Sequence, residues 1–226
     1  MLWGLQAVEQ QSAYGLTVEV LRRHVHLGLL LPGERLPPER TLADQLSVSR
    51  VTLREALRVM ETEGYFVVRR GASGGAFVND LEVLREISSR RLSRDPAMVM
   101  RMLEFREAVE PTAARHAAAR RTPTDLAALE SAFSAIKAAD NSAMLRRAES
   151  MFYLALGAAS HNPLLSKSIE DAQLAVFVLP AIEPDLDAVR KLLEAIKARN
   201  GDQAQDASRA LIATDRVRLG DIVGFV

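Results

Sequence analysis

Residues 28–78 read GLLLPGERLPPERTLADQLSVSRVTLREALRVMETEGYFVVRRGASGGAFV, and the changes of period inside this stretch set the fold of the N-terminal part. Pro38 suits the first position of a helix, and Leu42, Ala43 and Leu46 fall on one side of PERTLADQL. A short polar break, SVS, follows. Ser49 is placed to N-cap the next segment, in which Leu53, Ala56, Leu57 and Met60 form an inward stripe and Gly64 suits the helix end. Two helices joined by so tight a turn form a helix-turn-helix. After Gly64 the period shortens: YFVVRR is β-branched and aromatic, GASGG is a turn, and AFVND returns as a second strand. These segments read as a β-hairpin wing.

Working outward, Leu16, Val20, Leu21, Val25 and Leu27 approximate helical spacing over residues 14–31, and Pro32-Gly33 ends that helix. Downstream, LEVLREISSRRLSR (81–94) is charged and lacks a strong apolar stripe, so it reads as a connecting helix or linker. Beyond Asp95-Pro96, Ala-rich and Leu-rich helical periods dominate from Met98 to Leu219, with LAVFVLPAI as the one strand-like run. The expected fold is mainly α with a small β-hairpin wing. It comprises a winged helix-turn-helix domain (1–80), a linker (81–94) and an all-α helical bundle (95–226).

At 226 residues the chain has room for two cores, and 48% apolar with 26% charged residues is an ordinary globular balance. With no cysteine, disulfides, thiolate-ligated metals and thiol nucleophiles are excluded. The N-terminus lacks a signal-peptide pattern and no apolar run reaches the ~18 residues of a membrane span. A cytoplasmic protein without membrane contact is expected.

Net charge is zero, with 29 Lys+Arg against 29 Asp+Glu, so an overall basic surplus cannot argue for nucleic acid. Placement carries that argument. Within residues 1–80 every basic residue is Arg, the side chain suited to bidentate contact with phosphate and guanine. A helix-turn-helix docks through the N-terminal residues of its second helix, here Ser49, Arg50, Val51, Thr52 and Arg54. Arg50 and Arg54 stand one turn apart on one face, able to reach a base edge and a phosphate. The plainer alternative is a solvated face, with Arg54 or Arg58 paired to Glu55 or Glu61.

The order and spacing of the whole stretch decide between these. It resembles the winged helix of the GntR family, with its PG-x-x-LP-x-ER-x-LA turn, VSR-x-T-x-REAL recognition helix and RRG-x-GG-x-FV wing. The resemblance implies that Arg40 contacts the DNA backbone, that Ser49, Arg50 and Arg54 work in the major groove, and that Arg70 with Gly71 reaches the minor groove. Double-stranded operator DNA and a homodimer are the implied partners.

Residues 98–220 resemble the all-α sensing domain of the family's FadR branch, the FCD type, through FREAVEPTAARHAA, ESMFYLALGAASHNPLL and LLEAIKARNGDQAQDASRAL. Members of that subgroup commonly hold a divalent metal with one Asp and three His, the first two as D-x-x-F-H. Here that segment reads Glu149-Ser150-Met151-Phe152-Tyr153, and the other two positions fall near Val189 and Thr214. Three imidazoles are missing, so neither metal nor other cofactor is expected. His116 reads as a hydrogen-bonded core histidine on a stripe with Phe105, Val109 and Thr112, and His161 as a helix-terminal or pocket-rim residue.

By the same resemblance, Arg106 faces an effector cavity and binds a carboxylate; Glu149 and Tyr153 share a face one turn apart and are read as lining the same pocket, with Asn162 near its end. The competing reading of Arg106 is an i,i+4 surface pair with Glu110. The expected function is a DNA-binding transcriptional regulator, a repressor, responsive to a small organic acid. Two rivals remain: an enzyme, which no catalytic constellation or phosphate-cradling loop favours, and an effector-independent DNA-binding protein whose C-terminal domain only dimerises.

Overall fold

The computed structural model describes residues 12–71, 74–175 and 184–223. Its elements run α1 (Ala13–His26), α2 (Glu39–Leu46), α3 (Arg50–Thr62), β1 (Phe66–Arg69), β2 (Gly75–Val78), α4 (Leu81–Arg94), α5 (Pro96–Arg120), α6 (Pro123–Ala138), α7 (Ser142–Ala159), α8 (Pro163–Ala175), α9 (Leu186–Lys197) and α10 (Gly201–Val223). This is the mainly helical fold with a two-stranded hairpin that the sequence predicts. The strand-like run LAVFVLPAI falls largely outside the described residues.

The N-terminal unit is built as its stop and start signals dictate. Ser49 Oγ accepts from Thr52 N at 3.0 Å and caps α3, whose Leu53, Ala56, Leu57 and Met60 are all buried. Gly64 turns the chain at φ +84°, a conformation costly for residues with a Cβ, and this lets Tyr65 N donate to Met60 O. The strands then pair antiparallel from Phe66↔Val78 to Arg69↔Gly75. Residues 33–36 hydrogen-bond along the other edge of β2, through Gly33 N to Val78 O and Leu36 N to Ala76 O. A short hairpin alone is marginally stable, so this third edge helps to hold the wing.

The first helix departs from its expected bounds, and segment 81–94 takes the helical one of its two readings. The first helix ends at His26 and not near Leu31, because Gly28 takes φ +68° and turns the chain. Its inward stripe is Thr17, Val18, Leu21 and Val25, whereas Leu16 is 50% exposed and Val20 is exposed too. Segment 81–94 is a regular helix, α4, capped by Asp80, and its Leu84 and Ile87 lie in the same core as Leu53, Met60 and Phe66. It packs onto the N-terminal unit.

The C-terminal bundle centres on α5, α6, α7, α9 and α10. Ala113, Ala114, Ala117 and Ala118 of α5 are fully buried, and such small side chains let neighbouring helices approach closely around Leu129, Phe152, Leu156, Leu192 and Ile196. That alanine face fixes the rotation of α5. It leaves Phe105 42% exposed and His116 only half-buried, so His116 is not the core histidine that the stripe through Phe105 implied. Asn141 caps α7 and Asp185 caps α9, while Thr122 and Asp125 form a capping box before α6. His161 sits at the end of α7 with φ +47°, its Nε2 2.8 Å from Asp125 Oδ2.

Candidate functional site

The start of α3 projects its basic side chains outward. Arg50 and Arg54 are more than half exposed, and both lean toward Glu39 at the first turn of α2. Arg54 Nε donates to Glu39 Oε2 at 2.7 Å, while Arg50 Nη2 lies 3.9 Å away. The partner is thus Glu39 across the turn, not Glu55 or Glu61 on the same helix. An exposed pair of this kind contributes little stability, on the order of 0–1 kcal/mol, so a phosphate or guanine can take the arginines from it at small cost.

Ser49 and Thr52 face the same way, but their hydroxyls bond each other at 2.8 Å and Ser49 also caps the helix. Arg40 is exposed beside them on α2. Between α2, α3 and the wing runs a groove of about 640 Å³ lined by Arg35, Arg54, Arg58 and Arg70 among others. At the wing, Arg70 and Gly71 are exposed, and Gly71 has φ +107° with open space around it, so the backbone there is free to approach a polyanion closely. Arg35 Nη2 bonds Gly74 O and Arg69 stacks 4.7 Å from the Phe77 ring, which braces the two strands of the wing beside Arg70. The seven sequence-predicted DNA residues therefore lie at the N-terminal ends of α2 and α3 and on the wing.

The second site is inside the bundle. Arg106, only 4% exposed, donates from Nε to Glu110 Oε1 at 2.7 Å, from Nη2 to Glu110 Oε2 and Tyr153 Oη, and from Nη1 to Asp215 Oδ2 at 2.9 Å. The i,i+4 pair with Glu110 exists, but it is buried rather than on the surface. Burial disfavours the charge on Arg106, yet Glu110, Tyr153 and Asp215 together lift its pKa well above the usual guanidinium value. Burial likewise pushes the Glu110 carboxyl up against the pull of Arg106, and Tyr153 well up. Glu149 is half-buried on α7, close enough to act electrostatically on Tyr153 and on Arg146. Asn162 stands apart from these contacts: its Oδ1 accepts from Leu164 N at 3.0 Å and from Leu165 N, starting α8.

Residues 14–78 match the model of the bacterial regulatory proteins of the gntR family, and residues 101–214 match that of the FCD domain. The chain belongs to the GntR family. Over 91% of its length it is 30% identical to the galactonate operon transcriptional repressor of Escherichia coli (strain K12), covering 96% of that protein. It is 32% identical to an E. coli protein provisionally named for regulation of the L-lactate dehydrogenase operon, over 79% of this chain and 75% of that one. The solved structure of E. coli McbR/YncC shares the fold, with a TM-score of 0.54 at 22% identity over 94% of this chain and 99% of that one. This GntR-family chain is a DNA-binding transcriptional regulator and not an enzyme.

Sequence reasoning missed four side chains of the C-terminal bundle. Asp215 lies one residue past Thr214 and one turn beyond Leu211, so its place on an inward stripe of α10 was the available signal. Arg146 (7% exposed) and Gln173 (3%) are buried polar residues on α7 and α8, each hidden in an otherwise ordinary amphipathic pattern. Ser150 is fully buried, and its Oγ has no hydrogen-bond partner among the described residues.

Of the positions that the resemblance assigned to metal ligation, Val189 is in the apolar core, Tyr153 bonds Arg106, and Thr214 Oγ1 donates to Ala210 O of its own helix. None of the three is an imidazole or a carboxylate. No cluster of three or more His, Cys, Asp or Glu fit for a metal occurs among the described residues. Protein purified without chelator is expected to carry no stoichiometric divalent metal by elemental analysis. A full equivalent that disappears in Glu149→Ala would reverse this. Among the described residues, no helix is long and apolar enough to cross a membrane.

Proposed function

We propose that the protein is a homodimeric transcriptional repressor whose operator affinity is set by a small carboxylate bound at Arg106. The observation that carries the effector half is the pairing of a buried guanidinium with the orphaned Ser150 hydroxyl. Arg146, Ser150 and Tyr153 recur at i, i+4 and i+7 along one face of α7, so Ser150 opens onto the same side as Tyr153. A buried hydroxyl without a partner costs about 1–3 kcal/mol, a deficit that a bound ligand or an ordered water removes.

The bonding of Arg106 indicates how an acid would enter. Glu110 is 1% exposed and holds two of its N–H groups, whereas Asp215, with a side chain 26% exposed, holds Nη1. Asp215 is the partner that can leave. A ligand carboxylate replacing it keeps the local charge unchanged, with Tyr153 and Ser150 available to hydroxyl groups and Glu149 at the edge. The relatives named for the galactonate and L-lactate dehydrogenase operons make hydroxy acids the first class to test. Asn162, committed to the α8 cap, is assigned no more than a rim position.

Thermal-shift titration against small hydroxycarboxylates is expected to find a stabiliser. In Asp215→Asn, which removes the internal competitor and leaves Arg106 in place, its affinity should rise about tenfold, the equivalent of one neutralised partly buried pair. A stabiliser indifferent to Asp215→Asn and Tyr153→Phe places the site elsewhere. The saturation of Arg106 by Glu110 and Asp215 favours one second reading, a purely structural cluster in a domain that only dimerises; it predicts that no carboxylate in such a panel stabilises the protein.

A further inference from the structure

Arg146 is a buried cation that donates to three neutral oxygens. Its Nε donates to the backbone carbonyl of His26 at 3.0 Å, its Nη1 to Gln173 Oε1 at 3.2 Å, and its Nη2 to Gln173 O at 2.5 Å. Burial accordingly lowers its pKa to about 10, against the raising effect of Glu149. His26 is the last residue of α1, in the DNA-binding domain, so a cation at that point also meets the negative end of the helix. The contact therefore joins the two domains through a buried, charge-assisted bond.

The same side chains lead back to the effector cluster. Gln173 acts on the Glu110 carboxylate to favour its charged form, Glu110 holds Arg106 by two N–H groups, and Arg106 also donates to Tyr153, two turns along α7 from Arg146. Arg106, Glu110, Gln173 and Arg146 are all buried, and the Arg106–Glu110 and Arg146–Gln173 links are hydrogen bonds. The packing around the last link is tight. Gly28, two residues past the end of α1, approaches α7 so closely that a Cβ added there would stand 3.0 Å from Arg147 N and Cα. On either side, Arg23 pairs with Glu170 and Arg85 Nη2 donates to Ser142 Oγ. His26 itself is fixed from the N-terminal side by a 2.9 Å hydrogen bond between its Nε2 and Tyr65 Oη.

We infer that the buried chain Arg106–Glu110–Gln173–Arg146, ending on the His26 carbonyl, couples the effector cluster to the DNA-binding domain. Fully satisfied polar networks in a low-dielectric interior have few alternative arrangements, so a shift of Arg106 or Glu110 is passed on to Arg146 and the end of α1 and not absorbed locally. Arg146 acts as a positioning residue: it touches neither DNA nor ligand. The inference rests on the effector site proposed above, but coupling is reciprocal, so it can be read with DNA alone.

The experiment is hydrogen–deuterium exchange on the full chain with and without an operator fragment selected from genomic DNA. In the wild type, operator binding is expected to change the exchange of amides around Arg106–Glu110 and Arg146–Tyr153 by about fivefold or more, the lower end of ordinary coupling. The change should vanish in Arg146→Met. It should vanish equally in Gly28→Asn, which tolerates the positive φ, leaves the C-terminal domain untouched and wedges the interface apart. Gln173→Met should keep the change near residues 146–153 and lose it near 106–110. No operator-induced change in the wild type overturns the inference, as does an undiminished change in Arg146→Met and Gly28→Asn. Because no carboxylate is present, failure of the ligand screen sinks the effector reading without affecting this result.

Discussion

Replacing Arg50 and Arg54 together by Ala is expected to abolish specific operator binding, with each single change weakening it at least tenfold. Each side chain is more than half exposed at the start of α3 and pairs with Glu39, a surface pair that DNA outcompetes. A bidentate base contact is worth about 1–3 kcal/mol of discrimination, while a phosphate contact adds sequence-independent affinity and steepens the salt dependence. The two losses can be separated. The variant that loses a phosphate contact should weaken binding to all sequences and flatten the salt slope, and the one that loses a base contact should relax specificity at one position. Fluorescence anisotropy over a salt series, on variants with wild-type circular dichroism, distinguishes them. Both variants binding with wild-type affinity would mean that α3 is not the reading helix.

The largest effect on stability is expected from Arg106→Met. Removing one partner of a buried ion pair leaves the other uncompensated and costs about 3–5 kcal/mol. Here Glu110 and Asp215 are both stranded, so the melting temperature should fall by about 10 °C. The pH dependence follows from Glu110. Its folded-state pKa is already raised above 4.5 by burial, and loss of Arg106 raises it further. A carboxyl with a raised folded pKa favours the folded state at low pH and loses that contribution as pH rises. The destabilisation of Arg106→Met should therefore be largest near neutral pH and shrink as pH falls toward 4.5. The double variant Arg106→Met/Glu110→Gln should recover much of the loss at neutral pH. Denaturant melts at several pH values check both statements, and a pH-independent deficit would show that Glu110 is not the stranded charge.

The winged helix was legible because its signals are local. Pro38, Ser49, Gly64 and the switch from helical to alternating period each fix one element boundary, and all agree. The first helix was harder: five apolar residues suggested one stripe, but the packing of α1 on α3 chose Val18, Leu21 and Val25 and left Leu16 and Val20 outside. The buried face of α4 was not legible for the opposite reason, since Leu84 and Ile87 are too few to mark a face in a charged segment. In the bundle, Arg106 was identified through family resemblance and Tyr153 through the face it shares with Glu149, and the structure joins Arg106 and Tyr153 by a 3.0 Å bond. Asp215, Arg146 and Gln173 come from three different helices, and no spacing within a single chain segment announces that they converge.

Selection of genomic fragments on the purified full chain, followed by footprinting of the enriched DNA, tests the central claim most directly. A dimer presenting two copies of α3 predicts a pseudo-palindromic site, with equivalent half-sites centred about 10 base pairs apart or a multiple of that, each protected in the major groove by α3 and flanked by a minor-groove contact from the wing. Absence of any enriched sequence, or a single asymmetric half-site protected equally well by Arg50→Ala/Arg54→Ala, would contradict it.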